Sequence, residues 1–412
     1  MAGWKMKSTI RKYAKLMVKV GACVKKDDDV LIISSIEGAP LAQAITEYCY
    51  KAKAKRVTVT YADDKASRLH YLYQDKETLT EIPSWEAEMK NSYNDKHAVT
   101  IRILTEDPHI FDGVDPEKVA ARSKATHKAL KEYYDNAMSN RIRWTLCAVP
   151  GEAWAKTVFP DLSPSKAVAK LWELIIKAMR LDCKDSVKAW IDFQNASLER
   201  INKLNSLGLV KLRYENSIGT DFTIGLPKGA YFTGAKESTT YGAPFCANMP
   251  TEEIFTLPDK NTGDGKIVAS MPLVHNGTVI DDFYLVLKDG KIVDFNAKKG
   301  YETLKNIIES DEGSKRLGEI ALVQYDSPIQ NLHTLFYNTL FDENASCHFA
   351  IGRAYPLIHG AEKMTQQELE ALGVNNSDEH VDFMVGTPDL SITGISADGT
   401  ETPIFRNGNF CF

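Results

Sequence analysis

Hydrophobic positions in the first half of the chain follow two periods in turn. Met6, Ile10, Tyr13, Met17 and Val20 recur at steps of three and four, the spacing of one helix face. The short, largely apolar run Asp29 to Ser34 follows, and then a helical stretch, Leu41 to Ala54. Arg56 to Tyr61, Ala98 to Thr105 and Ile142 to Val149 are strand-like runs. Asp115-Pro116-Glu117 and Ser163-Pro164 each read as a helix start, a capping residue followed by proline at the first helical position. Mostly apolar strands separated by helices predict a parallel sheet covered on both faces. Residues 1–207 therefore read as a doubly wound α/β domain.

The pattern changes at Leu207-Gly208, where a long helix stops. Val210 to Tyr214 and Asp221 to Gly225 alternate between apolar and polar, and Lys266 to Ser270 reads as a strand. Phe283 to Lys288 turns through Asp289-Gly290 into Lys291 to Asn296, a hairpin signal, and Asp398-Gly399 marks a second such turn. Helices are expected over 301–310 and 331–338. Residues 208–412 read as an α+β domain with mainly antiparallel sheet, and it carries the candidate chemistry.

A length of 412 residues suits two cores rather than one. A charged share of 25% is that of a soluble globular protein. A net charge of −5 gives no footprint for nucleic acid. No apolar run approaches the ~20 residues that span a bilayer. Neither G-x-G-x-x-G nor a phosphate-loop spacing is present, so nucleotide binding is unsupported. The seven cysteines are far apart and never form C-x-x-C, which argues for free thiols in a reducing cytoplasm.

Metal-type ligands gather in the last third. His380 and Asp382 sit two apart in a strand-like run, so both project to one face. Glu343 and His348 sit five apart. Glu319 is a charge inside the apolar run Leu-Gly-Glu-Ile-Ala-Leu-Val, and a buried carboxylate must be paired or bind metal. Glu253 has Glu252 beside it, and spacing does not choose between them. Each residue also has an ordinary reading: a solvated strand glutamate, a core histidine, a surface His–Asp pair. Cys347 beside His348 reads as an inert buried thiol, since neighbours in an extended segment face opposite ways. Four carboxylates and two imidazoles are too carboxylate-rich for one ion and suit two, because carboxylates bridge.

Several segments together resemble a known family. They are Asn248-Met-Pro-Thr-Glu-Glu-Ile-Phe-Thr256, Gly265-Lys-Ile-Val-Ala-Ser270, Asn276-Gly277, Leu317-Gly-Glu-Ile-Ala-Leu-Val323, Glu343-Asn-Ala-Ser-Cys-His-Phe-Ala-Ile-Gly-Arg-Ala-Tyr355 and His380-Val-Asp-Phe-Met-Val-Gly386. They are similar to the thermophilic-type M29 metallo-aminopeptidases, the aminopeptidase T, aminopeptidase S and PepS type, and the likeness extends over nearly the whole chain.

The resemblance implies a metal-dependent aminopeptidase with two divalent ions per chain, zinc, cobalt or manganese, and a metal-bound water as nucleophile. Glu253 would bind one ion and Glu319 would bridge. Glu343, His348, His380 and Asp382 would complete the ligand set. Tyr355 matches a catalytic tyrosine that orients substrate or stabilises the tetrahedral intermediate. The substrates would be peptides with a free N-terminus, and the enzyme a cytoplasmic homodimer. Two other readings stay open: a hydrolase of non-peptide amides using the same site, and a binding module with a structural ion.

Overall fold

A computed structural model describes residues 3–94, 98–105, 107–275 and 278–412. The Asn276-Gly277 motif lies outside the described residues. The chain forms two compact units, one of residues 1–193 and 236–250, the other of residues 194–235 and 251–412. The sequence reading drew a single boundary at 207. The helix Ser186–Ser206 runs through the first crossing, and residues 236–250 return to the first unit.

The first unit is built on four parallel strands: β1 (Asp29–Ser35), β2 (Arg56–Ala62), β3 (Val99–Leu104) and β4 (Arg143–Ala148), in the order β2-β1-β3-β4. The α/β expectation is met, with each strand within two residues of its predicted bounds. Helices such as Ala39–Lys51, Pro116–Ala129 and Pro164–Ala178 connect and flank the sheet. Asp115 caps its helix as expected, accepting the Glu117 N–H at 2.9 Å. The returning segment lies along the edge of β4. Leu146 donates to Ala247 O at 2.7 Å, and Met249 donates to Leu146 O at 3.1 Å.

The second unit is antiparallel. A nine-stranded sheet contains the predicted hairpin Thr278–Lys288 and Lys291–Lys299. Its turn residues Asp289 and Gly290 have φ of 50° and 74°, as that turn type requires. A smaller sheet holds five further strands: β5 (Thr233–Gly234), β6 (Ile254–Thr256), β7 (Leu317–Leu322), β8 (His348–Gly352) and β9 (His380–Met384). They lie side by side in chain order, every pair antiparallel.

Alternation decides what each face of the small sheet does. Ile320, Leu322, Phe349, Ile351, Val381 and Phe383 share one face and pack into the core with the large sheet. Phe349 meets Tyr214 at 5.0 Å and Phe222 at 5.7 Å between ring centroids. Each such side chain contributes about 1.5–3 kcal/mol by burial. The opposite face is left to Glu319, Ala321, His348, Ala350, His380 and Asp382. A register slip of one residue would send His348 and Glu319 into the aromatic core, so hydrophobic packing fixes which groups face the site.

One predicted element does not form. Residues 331–338 are not a helix: a short turn, Gln330–Leu332, is followed by His333 and Tyr337 at φ of 47° and 54°. The cause is Asp342. Its carboxylate accepts the N–H groups of Phe336 at 2.7 Å and Asn338 at 3.0 Å, which replace helical bonds. Burial pushes the Asp342 carboxyl up to about 7 despite those bonds.

Candidate metal centre

The register of the small sheet assembles the site. Glu319 on β7 faces Ala350 on β8, and Ala350 faces Asp382 on β9. These three form one row across the sheet. The next row runs Ala321, His348, Met384, and His380 lies opposite Gly352. Phe255 on β6 pairs with Ala321, so Glu253, two residues earlier, belongs to the same face. Of the two neighbouring glutamates, it is Glu253 whose carboxylate lies with Glu319 and His348.

The ligand atoms of Glu253, Glu319 and His348 lie within 4.8 Å of one another. His348 Nε2 is 3.3 Å from Glu253 Oε2 and 3.6 Å from Glu319 Oε1. His380 Nε2 is 3.7 Å from Glu319 Oε2 and 3.5 Å from Asp382 Oδ1. Glu253, Glu319 and His348 are 7%, 6% and 1% exposed, whereas the His380 side chain keeps 30% of its surface open to solvent. Glu343 enters from the turn Glu343–Ala345, close enough that Glu253, Asp382 and Glu319 all act on its charge. Tyr355 is half-buried, with its ring 5.7 Å from His380 and 6.1 Å from Phe255. The structure thus brings all seven sequence-selected residues to one place.

Both imidazoles are oriented from behind. His348 Nδ1–H donates to Ser346 O at 3.0 Å, and His380 Nδ1–H donates to Arg353 O at 2.8 Å. A carbonyl only accepts, so Nδ1 carries a hydrogen in each ring and Nε2, facing the cluster, is the nitrogen that would ligate a metal once its own proton is lost. Gly318 makes room for this. The pairing shifts there, and a Cβ at Gly318 would sit 2.2 Å from Arg353 O, the atom that holds His380.

Charge and burial compete throughout. Burial opposes a charged His380, yet Asp382 and Glu319 overcome it and raise its pKa to about 10. Burial likewise opposes a charged His348, and Glu253 and Glu319 overcome it and raise its pKa well above the ordinary value. Burial pushes the Glu319 carboxyl up, partly offset by His348. Glu343 goes well up through burial and the neighbouring carboxylates. Burial opposes ionised Asp382 too, but His380 and His348 hold it below the ordinary range. Protons therefore balance much of the negative charge. Two buried oxygens, Glu253 Oε2 and Asp382 Oδ1, make no well-formed hydrogen bond and face the imidazoles at 3.3 and 3.5 Å. Such oxygens are costly unless something positive meets them, so the donor set fits divalent cations.

Sequence reasoning missed several contributors. Ala350 sits between Glu319 and Asp382, and Gly352 lets the Glu379 backbone approach, a Cβ there falling 2.3 Å from Glu379 O; their signal is the alternation of small with large apolar residues in His348-Phe-Ala-Ile-Gly352. Asn344 and the carbonyls of Ser346 and Arg353 left no signal. Cys347 faces away and is buried, bonded to both backbone groups of Val323, with burial pushing its thiol up to about 12. His359 stacks on Tyr231 at 4.9 Å between ring centroids.

The thermophilic metalloprotease (M29) family model matches residues 6–410. The chain belongs to the M29 family. It is 42% identical over 401 residues to aminopeptidase AmpS of Bacillus subtilis, covering 97% of this chain and 98% of that one. It is 33% identical over 405 residues to aminopeptidase T of Thermus thermophilus, covering 98% of each. Wild-type AmpT from Thermus thermophilus superposes with a TM-score of 0.92 at 32% identity, over 99% of this chain and all (100%) of that one. A 2,5-dihydroxypyridine dioxygenase from Pseudomonas putida shares the fold alone, with a TM-score of 0.54 at 11% identity over 100% of this chain and 98% of that one. By membership this M29 chain is a metallo-aminopeptidase and uses a divalent metal. Among its described residues no helix is long and apolar enough to cross a membrane.

Proposed function

We propose that the chain removes N-terminal residues from peptides with two divalent cations held by Glu253, Glu319, Glu343, His348, His380 and Asp382. The observation that carries this reading is how Glu319 divides its two oxygens. Oε1 faces His348 at 3.6 Å and Oε2 faces His380 at 3.7 Å. A carboxylate so placed suits sharing between two centres, one with Glu253 and His348, the other with Asp382 and His380. Four carboxylates offset the four positive charges of two such ions in a buried pocket. Bound there, the ions supply Lewis acidity to a peptide carbonyl and lower the pKa of water.

The chain's own groups set the rest of the chemistry. The carbonyls of Ser346 and Arg353 hold both imidazoles in line. Tyr355, beside His380, orients the scissile carbonyl or stabilises the tetrahedral intermediate. The substrate's α-amine docks among the carboxylates, and one carboxylate of the cluster carries the proton to the leaving amine. The reading includes a cytoplasmic homodimer, the dimer being checked by light scattering, and zinc, cobalt or manganese as the cation.

Aminoacyl-anilides and their N-acylated counterparts test the function. Turnover confined to substrates with a free amine is expected. Equal turnover of the acylated amides would make the chain a hydrolase of non-peptide amides instead. Two metal equivalents per chain by elemental analysis are expected, and one tightly held ion without hydrolysis would leave a binding module.

Cation uptake is also expected to expel protons. Ligation needs neutral imidazoles and ionised carboxylates, whereas in the cation-free cluster the neighbouring carboxylates raise the pKa of His348 and His380, and burial with those carboxylates raises that of Glu343, so protons compete with the cation. Raising the pH towards about 10, the value for His380, removes competing protons and therefore tightens binding. Calorimetry of metal-stripped protein in buffers of different ionisation enthalpy measures the release. Uptake with no net proton exchange would contradict this account.

A further inference from the structure

Two of the proposed ligands reach the site from segments outside the sheet pairing. Glu253 lies just ahead of β6, and Glu343 lies in a turn that belongs to no strand. Neither is fixed by a ladder at its own position. One side chain connects them. Asn344 is fully buried, at 0% exposure. Its Oδ1 accepts the Glu252 N–H at 2.7 Å. Its Nδ2 donates to Leu340 O at 3.0 Å and to Glu343 Oε1 at 3.2 Å.

The amide suits this junction because it offers one strong acceptor and two donors in a rigid plane. The partners leave one orientation: Glu252 N–H can only donate and Leu340 O can only accept. A carboxylate in the same shape would put oxygen against Leu340 O and against Glu343. A hydroxyl or methyl could not span three groups. The junction ties residues 92 positions apart in sequence.

We infer that Asn344 is a positioning residue for the metal centre: it fixes the distance between the Glu253 segment and the Glu343 carboxylate, and so sets cation affinity. This rests on the two-cation reading above. It extends that reading to a residue that touches neither a proposed ion nor substrate. Outer partners of metal ligands typically change affinity or activity by about 10- to 100-fold when removed.

The test is cation binding to metal-stripped full-length protein, measured by calorimetry with zinc or cobalt alone, with thermal unfolding followed in parallel. Asn344→Asp and Asn344→Ala are compared with wild type and with Ser314→Ala. Ser314 is also fully buried and hydrogen-bonded, to Ile308 O and across the Asp311 turn, with no bond to a ligand segment. Asn344→Ala is expected to weaken at least one cation step by about 10- to 100-fold. Asn344→Asp, which keeps the shape and the bond from Glu252, is expected to weaken it as well. Ser314→Ala is expected to lower the unfolding temperature and to bind as wild type does. Should Asn344→Ala fail to fold, the isosteric Asn344→Asp decides. Wild-type affinity in the folded Asn344 variants, or an equal loss in Ser314→Ala, overturns the inference. Wild-type protein that takes up fewer than two cations overturns the two-cation reading instead, so the two failures are distinct.

Discussion

Glu319→Gln lowers kcat/KM by about a thousandfold or more, while the cation-free protein unfolds no earlier than wild type. A bridging carboxylate offsets charge at both centres, and several kcal/mol of transition-state stabilisation depend on that arrangement, each ~1.4 kcal/mol being tenfold in rate. Glutamine keeps the shape of the side chain. It replaces one of the two oxygens now aimed at His348 and His380 with an amide nitrogen that cannot ligate. Stability responds differently because Glu319 is a buried carboxylate whose ionised form burial already disfavours. Losing its pairing with the two imidazoles is offset by relief of the repulsion that Glu253 and Asp382 exert on it. Steady-state kinetics and thermal unfolding of the stripped protein measure the two quantities. Turnover near wild type would remove Glu319 from the bridge.

Ala350→Leu abolishes cation binding at one or both centres and lowers activity by about a hundredfold or more, although no ligand is changed. Ala350 sits between Glu319 and Asp382 in the same cross-strand row and is fully buried. Directly opposed side chains in such rows are about 4.5–5.5 Å apart at Cβ. A leucine there occupies the space in which the two carboxylates converge. The overpacking itself costs only about 1–3 kcal/mol, so the protein remains folded. Ile351→Leu changes the next residue of the same strand, but on the core face, and is expected to leave binding unchanged. Metal content and kcat/KM of the pair measure the contrast. Ala350→Leu protein that still carries its full complement of metal would show that this row does not line the site.

Much of this was readable from local pattern. The four parallel strands announced themselves as β-branched or apolar runs, and the Asp289-Gly290 hairpin followed from turn chemistry alone. The common face of His380 and Asp382 follows from strand geometry. The misread helix over 331–338 shows where local pattern stops. Its propensity was overridden by a buried carboxylate that captures two backbone N–H groups. The choice of Glu253 over Glu252 was equally hidden, because it depends on how β6 pairs with β7. Asn344 was invisible because an asparagine's partners are set by long-range packing, not by its neighbours in sequence. The return of residues 236–250 to the first unit had no compositional mark either.

That return has a consequence for biosynthesis. The backbone of Leu146 in β4 finds its partners only at Ala247 and Met249, about a hundred positions later. At the usual elongation rate of about 5–20 residues per second, the nascent chain waits roughly 5–20 s with that sheet edge unsealed. An open edge is a template for pairing with other chains. The emerging polypeptide therefore passes through an interval in which shielding by the ribosome or a chaperone matters most, and it closes when residue 250 leaves the exit tunnel.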